Sequence, residues 1–261
     1  MTSFLEIKDL TVYYNRNEPA IEHLSLKLEK NEILAVVGES GSGKSTLIRA
    51  IMGLLSGGGI ITSGHIYFNG KDLVGLSLSQ YRSLRGNKIA MVFQDARGCL
   101  NPRRKIGSQF IESLRSHVRL SVSDARGIAL LVLTDMHLPD PERIMNSYTF
   151  ELSGGMCQRI ALAMAISDFS KPELLLADEP TSTLDVVIQE QVIRQILGYR
   201  ERYGVSIIIV THNFGIAAYI ADSIAVMHNG RLVEWGARDQ VIFEPRHEYT
   251  RSLLEAVPCI Q

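Results

Sequence analysis

Hydrophobic positions along the chain follow two spacings. Residues 4–10 and 24–28 alternate apolar and polar side chains, the period of half-buried strands. Ile33–Val37 (ILAVV) is apolar throughout, as a strand covered on both faces must be. A Gly/Ser loop over 38–43 follows, then a helical stretch from Lys44 to about Leu54 that the glycines at 57–59 end. Strand character returns at 66–68 and 89–93, with Asn69-Gly70 as a turn.

From 95 to 170 the pattern is helical. Residues 103–119 and 123–136 read as helices, the second capped by Ser123 and carrying Leu130, Leu131, Leu133 and Met136 as its apolar face. A third helix follows Ser153-Gly154-Gly155 and runs to about Asp168. Strand–helix alternation resumes at Glu173. Buried strands cover 174–177 and 206–210; a helix after Asp185 shows Ile188, Val192 and Ile196 on one face, and another lies near 214–221. Residues 224–227 and 231–234 form a hairpin about Asn229-Gly230, and short helices finish the chain. The expected fold is α/β, with a mainly parallel sheet covered by helices.

Composition narrows the function classes. With 261 residues, 46% apolar and 21% charged, the chain fits one or two globular domains and not a disordered protein. Lys and Arg total 27 against 28 Asp and Glu, a net charge of −1, so no nucleic-acid partner is expected. Cys99, Cys157 and Cys259 have no CxxC spacing, which argues against a disulfide framework or a zinc site. Three cysteines also fall short of the set an iron–sulfur cluster normally takes, so no such cluster is expected. No run approaches the ~18 apolar residues of a membrane-spanning helix. The opening MTSFLEIKDL, with Glu6 and Asp9, lacks the order of a signal peptide. The chain is therefore expected in the cytosol, with any membrane role exerted through a partner.

Gly38-Glu39-Ser40-Gly41-Ser42-Gly43-Lys44-Ser45 fits G-x-x-x-x-G-K-[ST] in full, between a buried strand and a helix. Glycines let backbone N–H groups wrap phosphates, and the helix N-terminus adds partial positive charge. In that motif Lys44 reaches the β- and γ-phosphates and the Ser45 hydroxyl ligates Mg²⁺. An ordinary Gly-rich turn is the bland alternative, but a chance match somewhere in such a chain is roughly one in a hundred. A second motif is the apolar run 174–177 ending in Asp178-Glu179. Alone it is a strand meeting an acidic turn. Beside a phosphate loop, Asp178 can hold Mg²⁺ and Glu179 can accept a proton from an attacking water.

A third motif points to a family. Leu152-Ser153-Gly154-Gly155-Met156-Cys157-Gln158-Arg159 resembles the LSGGQ signature of ABC-type ATPases. Asp178-Glu179-Pro180-Thr181-Ser182 and Ser182-Thr183-Leu184-Asp185 resemble that family's extended Walker B and D-loop. Gln94, ending IAMVFQ, is similar to its Q-loop glutamine, and His212, after IIIVT, to its switch histidine. Tyr14, or its neighbour Tyr13, stands where the family places an aromatic ring on adenine; strand alternation favours Tyr14. Two positions depart from the pattern: the signature's fifth residue is Met156 and the D-loop carries Thr183 where Ala is usual, neither change removing a catalytic group. Met at the fifth position is familiar from the oligopeptide, dipeptide and nickel importers. Phe93-Gln94-Asp95 with Leu100-Asn101-Pro102, and Pro245-Arg246-His247-Glu248-Tyr249-Thr250 with Leu253-Leu254, resemble segments of the same branch.

The resemblance implies one ABC ATPase domain. Residues 1–94 and 171–235 would be the nucleotide-binding core with an antiparallel β subdomain, 95–170 a helical subdomain, and 236–261 a C-terminal helical tail. It implies ATP and Mg²⁺ as cofactors. Tyr14 and Gly38, Glu39, Ser40, Gly41, Ser42, Gly43, Lys44, Ser45 and Thr46 would hold ATP; Ser45, Gln94 and Asp178 would surround Mg²⁺. Glu179 would polarise the water, and His212 and Lys44 would stabilise the γ-phosphate charge. Ser153, Gly154 and Gly155 would close over the ATP of a second ABC subunit, identical or homologous. Permease subunits in the membrane, and indirectly an extracytoplasmic substrate-binding protein, complete the implied assembly, with this chain at the cytoplasmic face. The cargo would be peptides, nickel or metal chelates. A soluble ABC ATPase of DNA repair or translation, or an exporter half, is the alternative. A single cassette without a heptad array or fused membrane helices favours the importer.

Overall fold

The structure, a computed structural model, describes residues 3–14, 18–167, 171–182 and 184–256. Asp168, where the third helix was expected to end, and Thr183 and Cys259 lie outside them. The first elements are β1 (Leu5–Tyr13), β2 (Pro19–Leu28), β3 (Ile33–Val37), α1 (Lys44–Met52), β4 (Ile60–Phe68), β5 (Lys71–Asp72) and α2 (Leu78–Leu84). Next come β6 (Ile89–Val92), α3 (Ala96–Cys99), α4 (Ile106–His117), α5 (Val122–Asp135), α6 (Pro141–Asn146) and α7 (Gly154–Ala165). The chain continues through β7 (Leu174–Asp178), α8 (Val186–Tyr203), β8 (Ser206–Thr211), α9 (Phe214–Ile220) and β9 (Ser223–His228). It ends with β10 (Arg231–Ala237), α10 (Arg238–Phe243) and α11 (Glu248–Glu255). No helix among the described residues is long and apolar enough to cross a membrane.

The chain divides into two compact units, Met1–Ser83 with Ser206–Gln261, and Leu84–Val205. In the first unit an antiparallel sheet runs β2-β1-β4-β5. β1 and β2 are longer than alternation suggested, because irregularities near Asp9 and His23, both at positive φ, break the period-2 pattern and shift the register. Asn69-Gly70 turns β4 into β5 with both φ positive, 49° and 77°. The same unit holds strands in the order β10-β9-β3-β8. β3 lies between β8 and β9, parallel to both, and all five of its residues are buried. That position explains its unbroken apolar run, since a fully buried Ile, Leu or Val side chain stabilises the fold by about 1.5–3 kcal/mol. α1 stops at Gly53, which is left-handed, and not at the glycines of 57–59; the Tyr81 ring fills the space a side chain on Gly53 would need.

In the second unit β6 and β7 pair in parallel, with α3 to α8 around them. Three short helices were not expected: α2, α3 and α6. Each has at most seven residues, too few turns to establish a helical period. The cap of α5 is Ser121 and not Ser123: Asp124 N–H donates to Ser121 Oγ at 3.1 Å, so the helix starts two residues earlier than its apolar face implies.

Glu234 on β10 secures the approach to α11. Its carboxylate accepts the backbone N–H groups of Arg246 at 2.8 Å and His247 at 3.1 Å. Burial alone would raise its pKa, but those donors outweigh burial and hold the group below its ordinary value. A depressed folded pKa gives stability that is present above the ordinary carboxylate pKa near 4.3 and is lost as pH falls through the folded value. Glu234→Gln is therefore expected to cost about 1 kcal/mol at neutral pH. Thermal melting at pH 7 and pH ~3 should show the gap to wild type narrowing on acidification.

Candidate functional site

The phosphate loop leaves the C-terminal end of β3 and enters α1. Gly38, Gly41 and Gly43 have φ of 147°, 83° and 101°, a region glycine enters without strain. Two of these glycines are also required by space. A β-carbon on Gly38 would lie 2.1 Å from the Met227 carbonyl oxygen, and one on Gly43 2.5 Å from the Ala20 oxygen. The loop is thus pressed against the end of β9 and the start of β2. The Gly230 N–H, in the β9–β10 turn, donates to Ser42 O at 3.2 Å. Lys44 is 5% exposed and turns back into the loop. Its ammonium donates to Gly38 O and Glu39 O, each at 2.7 Å, and to Ser42 Oγ at 3.4 Å. α1 opens at Gly43, which makes no side-chain cap hydrogen bond, and a helix N-terminus carries partial positive charge that suits an anion.

His212 belongs to the same unit. β8 pairs in parallel with β3, Thr211 opposite Val37, so His212 and Gly38 leave the same edge of adjacent strands. Its turn is hydrogen-bonded: Asn213 N–H donates to Thr211 Oγ1 at 3.0 Å, and Asn213 Oδ1 caps α9 by accepting from Gly215 and Ile216. His212 itself is exposed. Tyr14 stands one residue beyond the end of β1, so strand alternation does not reach it; both Tyr13 and Tyr14 are half-buried. The Tyr14 ring lies over Gly59, where a β-carbon would come within 2.7 Å of it.

The second unit holds the remaining residues. Val92 is opposite Ala177 in the parallel β6–β7 pair, which carries Gln94 and Asp178-Glu179 to the same strand ends. Asp178 is 1% exposed. Glu179 adopts a left-handed φ of 44°, a costly conformation for a non-glycine residue. Its carbonyl accepts from both the N–H and the hydroxyl of Ser182, and its carboxylate Oε2 accepts from Gln94 Nε2 at 2.8 Å. Ser153 caps α7, accepting Met156 N–H at 3.2 Å, so Gly154 and Gly155 occupy the helix's first turn. A β-carbon on Gly155 would lie 3.2 Å from Leu184 Cδ2, close enough that the leucine would have to give way slightly.

Two arginines make contacts that no sequence motif assigns. Arg97 on α3 donates from Nη2 to the carbonyl of Leu152 at 2.7 Å, linking the segment after Gln94 to the residue before Ser153. Arg159 on α7 is buried and donates to His137 O at 3.1 Å, near the C-terminal end of α5. Burial lowers its pKa, and Asp185 partly opposes that. Nothing in local spacing marks either residue, since both act on carbonyls far along the chain. Cys157 is buried, and burial raises its thiol pKa despite Arg97, the environment of an unreactive cysteine.

A family model described as ABC transporter matches residues 21–182. The oligopeptide transport ATP-binding protein OppD of Bacillus subtilis is 42% identical over 265 residues, covering 100% of this chain and 74% of that protein. The oligopeptide transport ATP-binding protein AmiE of Streptococcus pneumoniae is 40% identical, covering 97% of this chain and 72% of that protein. The dipeptide transport ATP-binding protein DppD of Bacillus subtilis is 40% identical over 99% of this chain and 78% of that protein. Among solved structures, a dimeric post-hydrolysis state of the ATP-binding cassette MJ0796 bound to ADP and Pi superposes with a TM-score of 0.81. It shares 27% identity and covers 90% of this chain and 98% of that one.

The chain belongs to the ABC transporter family. It binds and hydrolyses ATP as the energising subunit of a transporter, and a role in DNA repair or translation is not favoured. The close packing of Gly38 yields a direct expectation. Gly38→Ala should destabilise the fold by about 1–3 kcal/mol and weaken Mg-ATP binding at least about tenfold, because loop or β9 must shift. Thermal melting with calorimetric titration of Mg-ATP checks both.

Proposed function

We propose that the chain drives a membrane importer whose cargo is peptides. The observation that carries this reading is the nearly full-length identity of about 40% to three peptide-transport ATP-binding proteins. The names of those relatives offer no matching support for nickel or metal chelates. The chain would sit at the cytoplasmic face of the membrane, held by permease subunits that receive cargo from an extracytoplasmic binding protein. The segment from Gln94 to Pro102 and α4 would meet the permease. That segment is internally braced: Gln109 donates from Nε2 to Asn101 O and Arg104 O, and accepts Asn101 N–H at 2.8 Å.

Each side chain then has a role its chemistry supports. Gly38, Glu39, Ser40, Gly41, Ser42, Gly43, Lys44, Ser45 and Thr46 form the loop and helix start that receive the phosphates, through backbone N–H groups and the Lys44 ammonium, with the adenine on Tyr14. Lys44 trades its loop carbonyls for phosphate oxygens, which as charged acceptors bind an ammonium more strongly. The Ser45 hydroxyl, the Gln94 amide oxygen and the Asp178 carboxylate are the hard oxygen donors that suit Mg²⁺. Mg²⁺, when bound, neutralises charge on the β- and γ-phosphate oxygens. Glu179 accepts the proton of the attacking water; the Gln94 amide, 2.8 Å from its Oε2, orients that carboxylate. His212 and Lys44 stabilise charge on the departing phosphoryl group.

Ser153, Gly154 and Gly155 open α7 with N–H groups that serve the ATP of a second subunit, so that ATP joins a head-to-tail pair and its hydrolysis separates it. That the solved MJ0796 cassette is a dimer bound to ADP and Pi supports the pairing of two cassettes. Glu179→Gln keeps shape and hydrogen bonding but cannot take a proton. It is expected to abolish most hydrolysis, on the order of 10²-fold or more, while keeping ATP binding and accumulating an ATP-dependent dimer. Lys44→Ala should instead lose binding itself. Hydrolysis assays with size-exclusion chromatography and light scattering, with and without Mg-ATP and with any partner ATPase present, separate the two. Wild-type turnover by Glu179→Gln would remove Glu179 from the role of base.

A further inference from the structure

The ending Pro245-Arg246-His247-Glu248-Tyr249-Thr250 has no part in the phosphate chemistry above, yet it touches the phosphate loop. The backbone N–H of Glu39 donates to Tyr249 Oη at 3.2 Å. Tyr249 is held in place on two sides. Its ring lies on His228 with centroids 3.9 Å apart, and its own N–H donates to His247 Nδ1 at 3.1 Å. Behind it, Glu234 secures the backbone of Arg246 and His247.

The consequence follows from the planarity of one peptide. The carbonyl of Gly38 and the N–H of Glu39 belong to the same rigid unit. Lys44 Nζ holds the oxygen at 2.7 Å, and Tyr249 Oη holds the N–H. Gly38, with a φ of 147° and no β-carbon, limits the backbone at this peptide less than any other residue would. When Lys44 turns toward phosphate, only one of these two restraints remains. Rotation of the peptide would then move the Gly38 oxygen and the Glu39 N–H together and change the shape of the loop that receives the phosphates. Burial raises the pKa of the Tyr249 phenol, the opposing effect of the Glu39 N–H being smaller, so the oxygen that restrains the loop stays uncharged beside the phosphates.

We propose that Tyr249 is a positioning residue for the nucleotide. It fixes the plane of the Gly38–Glu39 peptide, so that the C-terminal helix sets how strongly the loop holds the phosphates of ATP. The inference rests on the reading of Gly38 through Ser45 as the nucleotide loop. By pre-organising that loop, Tyr249 saves the ordering cost that binding would otherwise include.

Calorimetric titration of the full chain with Mg-ATP, with steady-state hydrolysis, tests the assignment in wild type, Tyr249→Phe, Tyr249→Leu and Lys44→Ala. Tyr249→Phe keeps the ring on His228 and removes only the oxygen. It should weaken Mg-ATP binding and raise KM about three- to tenfold, with kcat within about twofold and nucleotide-free melting unchanged. Tyr249→Leu, lacking the ring as well, should weaken binding further. Wild-type affinity and KM in Tyr249→Phe, with Lys44→Ala losing binding, would overturn the Tyr249 assignment and leave the loop reading intact. Wild-type binding by Lys44→Ala would overturn the loop reading itself, and this inference with it.

Discussion

The buried ammonium of Lys44 is the constraint around which the nucleotide half of the molecule is organised. A cation only 5% exposed is costly unless acceptors surround it, and the phosphate loop supplies them from its own backbone at Gly38 and Glu39. To present those oxygens the loop must curl tightly, which only glycine permits at 38 and 43, where neighbouring backbone leaves no room for a β-carbon. The curl in turn needs walls. β9 provides Met227, β2 provides Ala20, the β9–β10 turn provides the Gly230 N–H, and α11 provides Tyr249. Segments far apart in the chain thus converge on one loop whose carbonyls a polyphosphate can replace with stronger acceptors.

A comparable logic organises the second unit around Glu179. Its left-handed backbone is held by Ser182, and its carboxylate by Gln94. From Gln94 the connection runs through α3 to Arg97 and the carbonyl of Leu152, one residue before Ser153. On the proposed reading, the proton acceptor, the loop that meets the permease and the helix terminus that meets phosphate are therefore joined by hydrogen bonds within one chain. That is the kind of element whose two arrangements an ATP cycle can bias.

Much of this was legible in the sequence because the relevant rules are local. A strand buried on both faces has to be apolar throughout, as Ile33–Val37 is, and both Asn-Gly pairs became turns with positive φ. The motif glycines were readable because the backbone they permit is a property of the loop itself. What was not legible depends on distant partners or on local irregularity. Asp9 and His23 interrupt the alternation of β1 and β2, so their full extent was hidden. Gly53 ends α1 four residues before the run beginning at Gly57, and Tyr81 packs over it. Tyr249, Arg97 and Arg159 act across long stretches of chain on backbone groups, which leave no signature in residue type.

The central claim is that this chain holds ATP through Lys44 and its loop and completes the site with Ser153 to Gly155 of a second subunit. A structure of Glu179→Gln with Mg-ATP, prepared with any partner ATPase and permease, addresses it most directly. The expected result has Lys44 Nζ moved from Gly38 O and Glu39 O onto phosphate oxygens, with the γ-phosphate against the N-terminus of the other subunit's signature helix. ATP held away from Lys44, or held with no contribution from a second signature helix, would contradict it.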